Sequence, residues 1–310
     1  RSYAESGGQV GDVGVIKGNG FEFTVENTTK THEGVVLHHG YISDGETVSC
    51  GDKVHAEVNR SVREATMRNH TAAHLLQAAL RKILGTHVEQ AGQLVNSEAV
   101  RFDFTHFSAL SADELRKVEN TVNEVIMSAV PVVTSEMPID EAKKLGAMAL
   151  FGEKYGDIVR VVKADDFSVE FCGGTHVKNT GSIGLFKIVS ESSVASGVRR
   201  IEAVTGNNVM KYIDKSNELI AETAKNLKLT NYHELASRAA ALSAELKEKE
   251  REISSLEAKI AASKTADLMK DAKQIGGVRL VTADIGEAGA DALRSLCDKA
   301  LESEIGRAHV

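Results

Sequence analysis

Three histidines and one cysteine are the residues of this sequence whose types and spacing most clearly allow chemistry. His70 and His74 are four apart in a segment of helical periodicity, so both imidazoles lie on one side of the predicted helix. Cys172 and His176 are also four apart, and the two glycines between them permit a tight turn that folds the histidine back beside the cysteine. Zinc favours four thiolate or imidazole ligands in a tetrahedron, so the two pairs together predict a Cys-His-His-His metal site.

Neither pair is specific alone, and the alternative is a small buried cysteine with three surface histidines. The apolar residues of the predicted helix centre on the side of Leu76 and Ala79. His70 and His74 point away from that side, so we expect that they do not face the core. A metalloprotease is excluded, because Thr71 stands where a His-Glu-x-x-His site needs its general-base glutamate.

Two predicted elements position these residues. One is a helix over 61–85, which ends at a glycine, and the other is a strand over 168–172, which leads into the Gly-Gly turn. The same section contains further predicted elements, namely strands at 100–107, 157–164 and 184–192 and a helix over 111–130 that opens with a capping box. Strands and helices are mixed without strict alternation, so we predict an α+β domain over residues 61–206.

Three other sections differ in composition from this one. Residues 1–60 are dense in glycine and in short β-rich runs, which predicts a small β-barrel-like domain. Residues 207–270 are rich in Ala, Glu, Lys and Leu, and four heptads from Tyr232 fit a coiled coil or helical hairpin. A single helix packed on its own domain is the equal alternative. Residues 271–310, with a strand at 278–285 and then a helix, are too few to close a domain and predict the start of an incomplete C-terminal domain.

The overall composition limits the partners and the compartment. The chain has 310 residues, a net charge of −7 and 42% hydrophobic residues, which is a globular rather than a disordered composition. No stretch approaches the roughly 20 apolar residues that cross a bilayer, so we expect no membrane partner. Because the chain is acidic overall, any nucleic acid must be bound by a local basic patch. Three widely separated cysteines argue against a disulfide framework and favour a reducing, cytoplasmic location.

Long stretches around the metal-ligand pairs carry a family resemblance. The sequence resembles the editing domain of the alanyl-tRNA synthetase family in NHTAAHLLQAALRKILGTHVEQAGQLV, in RFDF and in FCGGTHVKNTGSIGLFKIVSESSVASGVRRIEAVTG. The opening YAESGGQVGDVG is similar to the glycine-rich segment just before that domain, and the heptad stretch is similar to the family's C-terminal helical linker. The resemblance covers almost all of the chain and implies a synthetase fragment: editing domain, helical linker and start of the C-terminal domain.

The resemblance also implies an activity. A synthetase of this family attaches alanine to tRNA(Ala) with ATP and Mg²⁺, in an aminoacylation domain that we expect to lie before residue 1. A pocket shaped for alanine cannot exclude glycine by size and rejects the extra hydroxyl of serine by only about 1–3 kcal/mol, so a second, hydrolytic site is expected. We therefore expect an ester hydrolase that edits Ser-tRNA(Ala) and Gly-tRNA(Ala), with the mischarged 3′ end as its partner.

The resemblance further assigns roles to individual residues. It implies that His70, His74, Cys172 and His176 hold zinc, and that Gln90 lines the editing pocket and hydrogen-bonds the serine hydroxyl. Gln90 and Cys172 are thus the expected catalytic residues, although Gln90 is alternatively a solvent-facing loop residue. Four protein ligands close a coordination sphere that catalytic zinc usually keeps open. Either one ligand, with His176 as the candidate, gives way to water, or the metal only organises the pocket.

Basic residues supply the expected contacts to tRNA. Three arginines are predicted to contact phosphates. They are Arg199 and Arg200, beside a glycine-containing turn, and Arg68, in the predicted helix over 61–85, which we call the metal helix. Arg101 and Asp103 lie two apart on one face of a predicted strand and are either an ion pair or pocket groups.

Two other functions remain open from the sequence. One is a free-standing editing protein that acts in trans. The other is a non-catalytic module that binds tRNA, carries a structural zinc and forms a homo-oligomer through the helical segment. Hydrolysis of seryl-tRNA by the purified chain distinguishes the catalytic readings from the last one.

Overall fold

The structure, a computed structural model, describes residues 2–45, 47–148, 156–270, 272–282, 290, 293, 294, 297 and 298. The chain divides into two compact units, Arg1–Ser216 and Asn217–Val310. Within the described ranges, none of the helices combines the length and the apolar character that a bilayer-crossing segment needs.

The described residues form a mixed α+β structure with antiparallel sheets, which confirms the predicted fold class. The elements in chain order are β1 (Gly14–Gly18), β2 (Phe21–Lys30), β3 (Val36–Gly45), β4 (His55–Val58), α1 (Arg60–Leu84), β5 (Gln90–Val95), β6 (Val100–Thr105), α2 (Ala112–Met127), β7 (Val132–Pro138), α3 (Ile139–Lys144), β8 (Ile158–Ala164), β9 (Ser168–Phe171), β10 (Phe186–Ala195), β11 (Val198–Thr205), α4 (Asn207–Asn226), α5 (Leu235–Lys270), β12 (Lys273–Ile275) and β13 (Val278–Leu280).

The glycine-rich start of the chain folds into a sheet with the order β3-β2-β1-β4. All of its pairings are antiparallel, as expected for short strands joined by tight turns. A closed barrel needs a ladder between the two outer strands, and the described residues form none between β3 and β4. The predicted strands are therefore present, but the sheet is open rather than barrel-like.

The core of the first unit lies between α1, α2 and a sheet of order β10-β11-β6-β5. Its largest fully buried side chains include Phe102 and Phe104 of β6 and Leu75, Leu76 and Leu80 of α1. A smaller sheet, β7-β8-β9, contributes β9, which contacts α1 from another direction. Helix α1 is thus covered on more than one side.

Local signals account for the ends of the two core helices. The Asn59 side chain accepts a hydrogen bond from the backbone N–H of Val62 at the start of α1, and Gly85, with φ +117°, ends that helix. Helix α2 begins at a complete capping box of Ser111 and Glu114, which confirms the predicted start.

The described residues of the second unit form the end of α4, the helix α5 and the β12–β13 hairpin. The helical prediction for 207–270 holds as two helices, α4 and α5, with a 3-10 turn at Tyr232–Glu234 before α5. Tyr232, the first heptad position, therefore precedes α5 rather than belonging to it. Four other heptad residues of α5 are exposed: Leu246, Ile253, Leu256 and Ile260. A coiled-coil partner for that stripe stays a prediction, as do the four domain boundaries.

The last predicted elements lie only partly within the described residues. Strand β13 covers the first three residues of the strand expected at 278–285. Residues 281 and 282 are described and lie outside any strand, while residues 283–285 and most of the helix predicted after them lie outside the described residues.

Candidate metal centre

The two ligand pairs meet at one point inside the first unit. One ligand atom from each of His70, His74, Cys172 and His176 lies within 4.8 Å of the others. Cys172 Sγ is 3.5 Å from Nε2 of His70 and 3.3 Å from Nε2 of His176. The three imidazole rings have centroids 4.4–5.3 Å apart. Segments about a hundred residues apart in sequence therefore converge on a single site.

The burial of the two helix histidines corrects the helical-wheel expectation. His70 is 1% exposed and His74 is 6% exposed, although both lie away from the leucine side of α1. The side of α1 that carries them is covered by β9 and the Gly-Gly turn after it. A helical wheel built on apolar residues predicts only the apolar face of a helix, so it does not predict a second face that is buried and polar.

The donor set fits a zinc ion. Bonds of about 2.3 Å to sulfur and 2.0–2.1 Å to nitrogen in a tetrahedron place S and N ligand atoms about 3.6 Å apart. The two sulfur–nitrogen separations given above are within a few tenths of an ångström of that value. Three imidazoles and one thiolate also favour zinc over magnesium or calcium, which prefer oxygen ligands.

A threonine on α1 fixes the tautomer of His176. The Thr71 hydroxyl donates its one hydrogen to the backbone carbonyl of Met67 (3.0 Å) and accepts from the backbone N–H of Val177 (3.2 Å). It lies 3.1 Å from Nδ1 of His176 and has no second hydrogen to offer, so Nδ1 must be the donor. The lone pair of His176 is then on Nε2, the atom that faces Cys172.

Burial keeps the three imidazoles neutral, which is the form that binds a metal. Burial lowers the pKa of His70 to about 3, and the nearby charge of Arg160 adds to this. Burial also lowers the pKa of His74 and of His176 well below the usual value, with the neighbouring histidines as the next cause.

A buried carboxyl group lies next to His74. Glu170 Oε2 is 3.7 Å from Nε2 of His74, and Oε1 of Glu170 accepts a hydrogen bond of 2.9 Å from Ser168. Burial raises the pKa of Glu170 to about 8, against the opposing effects of Ser168 and Arg81. Because burial disfavours the charged form of both partners, Glu170 and His74 are a carboxyl group facing a neutral imidazole rather than an ion pair.

An arginine holds the loop that carries Cys172. One guanidinium nitrogen of Arg160, Nη1, donates to the carbonyls of Cys172 (2.6 Å) and Gly174 (2.7 Å). The backbone N–H of Gly174 in turn faces Cys172 Sγ at 3.3 Å. The turn is thereby fixed by β8, which carries Arg160, and sulfur receives a hydrogen-bond donor.

A cavity of about 280 Å³ opens beside the site and is lined by three of the four ligands, His70, His74 and Cys172. Its wall includes Tyr3, Ser6, Gly7, His70, His74, Gln93, Gly156, Ile158, Val159, Arg160, Glu170, Phe171, Cys172, Gly173 and Gly174. Burial raises the pKa of Tyr3 to about 12, so its hydroxyl stays protonated and donates to the carbonyl of Ser6 at 2.9 Å. The cavity is large enough for an aminoacyl group and is walled by both polar and apolar side chains.

The expected catalytic glutamine lies apart from this wall. Gln90 is the first residue of β5, half-buried and opposite Phe104, and it is not among the described residues that line the cavity. Gln93, three residues later, does line it, and its Nε2 donates to the carbonyl of Gly7 at 2.7 Å. The pocket role of Gln90 stays a prediction.

The three arginines expected at tRNA fall into two groups. Arg199 pairs with Glu191 (2.5 Å), and Arg200 forms a two-point pair with Asp103 (2.6 and 2.7 Å). Asp103 therefore pairs with Arg200 and not with Arg101, whose buried Nε has no hydrogen-bond partner among the described residues. Arg68 lines a separate cleft of about 310 Å³ together with Lys211.

Sequence reasoning missed the residues that support the ligands from outside the two motifs. Gln9, Arg160 and Glu170 each contact a ligand or its backbone. Gln9 and Arg160 come from other segments of the chain, whereas Glu170 belongs to the strand that leads to Cys172. The one available signal was a charged residue between apolar neighbours in a strand, as at Glu170 and Arg160.

Comparisons with known proteins agree on one family. Residues 159–202 match the threonyl and alanyl tRNA synthetase second additional domain, and residues 1–62 match tRNA synthetases class II (A). The chain is 49% identical over 296 residues to an alanine–tRNA ligase of Acetivibrio thermocellus, which covers 96% of the chain and 33% of that protein. The same identity over the same length is found with the alanine–tRNA ligase of Fervidobacterium nodosum, with 96% of the chain and 34% of that protein covered.

A third relative extends the match to nearly the whole chain. The alanine–tRNA ligase of Bacillus subtilis is 45% identical over 306 residues, with 99% of the chain and 34% of that protein covered. The chain thus spans about a third of the length of the curated relatives it matches. Identity at this level along almost every residue, together with the two matching family models, shows that the chain belongs to the alanyl-tRNA synthetase family.

Proposed function

We propose that this chain is the editing part of an alanyl-tRNA synthetase and hydrolyses the ester of Ser-tRNA(Ala) and Gly-tRNA(Ala) at a zinc-containing site. The observation that carries the proposal is the convergence of His70, His74, Cys172 and His176 beside a cavity of about 280 Å³. A pocket with room for an aminoacyl group next to a metal-binding set is what ester hydrolysis by a second site requires.

Zinc bound at these residues would supply a Lewis acid next to the ester of the mischarged tRNA. The chain itself supplies the surroundings. Arg160 places a fixed positive charge at the cavity wall, where it favours the negative charge that develops on the ester oxygen. The Tyr3 hydroxyl and the amide of Gln93 give the wall polar groups that orient a small polar substituent such as the serine side chain.

The remaining parts of the activity follow the family. The relatives that match the chain are named alanine–tRNA ligase, so we propose that the protein containing this chain attaches alanine to tRNA(Ala), with ATP and Mg²⁺ bound outside the chain. The mischarged 3′ end of tRNA(Ala) is the proposed partner. A cytoplasmic location suits a site that depends on a reduced thiol, because a cysteine in a disulfide could not ligate the metal.

A structural zinc is the second candidate. All four protein ligands lie close enough to bind one ion together, and such closed sites are typical of structural zinc. In this reading the chain binds tRNA without cleaving the ester, and the metal organises the turn at residues 172–176.

The deciding experiment measures release of serine from Ser-tRNA(Ala) by the purified chain. Cys172→Ala is expected to lose zinc and to reduce the rate at least about a hundredfold, because one ligand of the site is missing. Cys50→Ala, at an exposed free cysteine, is the matched control and should behave as the unaltered chain. An unaltered chain that binds zinc and releases no serine would favour the structural reading, and equal rates for Cys172→Ala would end the role of the metal in hydrolysis.

A further inference from the structure

A glutamine from the start of the chain reaches the metal centre. Gln9 is 1% exposed, and its side chain lies between α1 and the turn that follows Cys172. Its Oε1 accepts a hydrogen bond of 2.8 Å from the backbone N–H of Thr175 and lies 2.7 Å from Nδ1 of His70. Its Nε2 donates to the hydroxyl of Thr175 at 2.9 Å. One amide thus connects both halves of the ligand set.

These contacts leave one protonation pattern for His70. A backbone N–H can only donate, so the amide atom that faces Thr175 N must be the oxygen, which fixes the orientation of the Gln9 amide. Nδ1 of His70 faces that same oxygen and must therefore carry the hydrogen. The lone pair of His70 is then on Nε2, which faces Cys172 Sγ at 3.5 Å.

The backbone around Gln9 is held firmly enough to aim its side chain. Val95 at the end of β5 donates to the carbonyl of Gly8 (2.7 Å) and accepts from the backbone N–H of Val10 (3.0 Å). Asp12 forms an ion pair with Arg63 in the first turn of α1 and accepts from the backbone N–H of Tyr3. The segment is therefore attached to both a core strand and the metal helix.

We propose that Gln9 is a positioning residue of the metal centre, which holds His70 in the tautomer and ring orientation that a metal requires. The proposal rests on the zinc site of the proposed function. Hydrogen-bond partners of this kind typically change metal affinity by about 10–100-fold when they are removed. It follows that the metal centre depends on residues upstream of α1 as well as on the four ligands.

The test compares zinc affinity in the full chain with two substitutions at this position, by competition with a chromophoric chelator. Gln9→Leu keeps the approximate size but removes the acceptor, so zinc should bind about 10–100-fold more weakly. Gln9→Glu keeps an oxygen that accepts from both His70 and the backbone of Thr175, and the Thr175 hydroxyl can turn to donate. It should therefore restore affinity to within about threefold of the unaltered chain.

A matched control and a spectrum separate positioning from simple loss of packing. Gln77→Leu makes the same substitution at another buried glutamine, on α1, that is neither a ligand nor part of the cavity wall, so zinc affinity should not change. With Co²⁺ in place of zinc at full occupancy, Gln9→Leu should alter the visible ligand-field bands, whereas Gln9→Glu and Gln77→Leu should not. Equal zinc affinity for Gln9→Leu and the unaltered chain, or failure of Gln9→Glu to restore it, would overturn the proposal.

The outcome is independent of the hydrolysis assay. If the unaltered chain binds zinc but releases no serine from Ser-tRNA(Ala), the proposed editing function fails while the Gln9 comparison keeps its meaning. If Gln9→Leu binds zinc normally yet the unaltered chain edits, the positioning role alone is wrong.

Discussion

Gly174 is the position where one added methyl group would disturb the metal centre most directly. A Cβ there would overlap the imidazole of His70 and lie 2.9 Å from Oε1 of Gln9, whereas a Cβ at Gly173 meets nothing within 4 Å. The ring of His70 is buried and cannot move aside without losing its place beside Cys172. Gly174→Ala is therefore expected to weaken zinc binding about tenfold or more, and Gly173→Ala to leave it unchanged.

The measurement for this pair is zinc affinity, with thermal melting of the metal-free chain as a check on folding. The same change at adjacent glycines makes the comparison direct. If both substitutions weaken zinc binding to the same extent, flexibility of the turn rather than crowding of His70 would be the cause, and the packing argument would be wrong.

Helix α1 shows which features of a secondary-structure element can be predicted from the sequence. The helical periodicity, the closing glycine and the four-residue spacing of the histidines are local, and α1 follows them to within one residue at each end. What covers the polar side of the helix is not local. The partners of His70 and Thr71 come from segments 61 to 106 residues away, so no window of the sequence contains both sides of the contact.

Strand β5 was missed for a different reason. Its sequence, QAGQLV, lacks regular alternation, and the ladder with β6 has a bulge between Gln90 and Gly92. A bulge shifts which side chains share a face, so period-2 reasoning fails there. The pocket role of Gln90 rests on the resemblance alone and stays a prediction, while the glutamine that lines the cavity in the structure is Gln93.

Two of the three arginines predicted to contact tRNA, Arg199 and Arg200 of β11, form ion pairs with neighbouring strands, and their contact with tRNA stays a prediction. Arg199 and Arg200 each bind a carboxylate of a neighbouring strand, whereas Arg68 on α1 has no hydrogen bond or ion pair within the described residues. We expect Arg68→Ala to weaken tRNA binding and to lower the slope of log affinity against log salt by about one. Arg200→Ala should instead lower the thermal midpoint, because it leaves Asp103 unpaired, and should leave that slope unchanged.

Filter binding of tRNA(Ala) over a salt series, with a melting curve for each variant, checks this assignment. Both variants carry the same loss of one positive charge, so a general electrostatic effect would change the two salt slopes equally. That equality, or a larger change for Arg200→Ala, would show that the ion pair opens to meet tRNA.

At the scale of the whole chain, the metal centre belongs to one of the two compact units. All four ligands, with Gln9, Arg160 and Glu170, lie within Arg1–Ser216, and α5 lies within Asn217–Val310. The matching relatives cover both units, so the sequence correctly predicted that both belong to the same family. It did not predict that the glycine-rich section and the metal-binding section form one unit, because the contacts that join them, such as Asp12 with Arg63 and Gln9 with His70, link residues far apart in sequence.

Removal of zinc should consequently affect the two units unequally. A ligand present at about 100 times its Kd stabilises the folded state by roughly 2.7 kcal/mol, which corresponds to about 5–10 °C for a unit of roughly 150–250 residues. Chelation is expected to lower the melting transition of the first unit by that amount and to leave the transition of the second unit in place. Because both units contain helices, hydrogen–deuterium exchange on heating, measured by mass spectrometry on peptides of α1 and of α5, follows the two units separately. Cys172→Ala, which lacks a ligand, is the control and should not respond to the chelator. A chelator-induced shift of the α5 transition by the same amount would mean that the two units unfold as one, and no shift in either would remove zinc as a stabilising ligand of this chain.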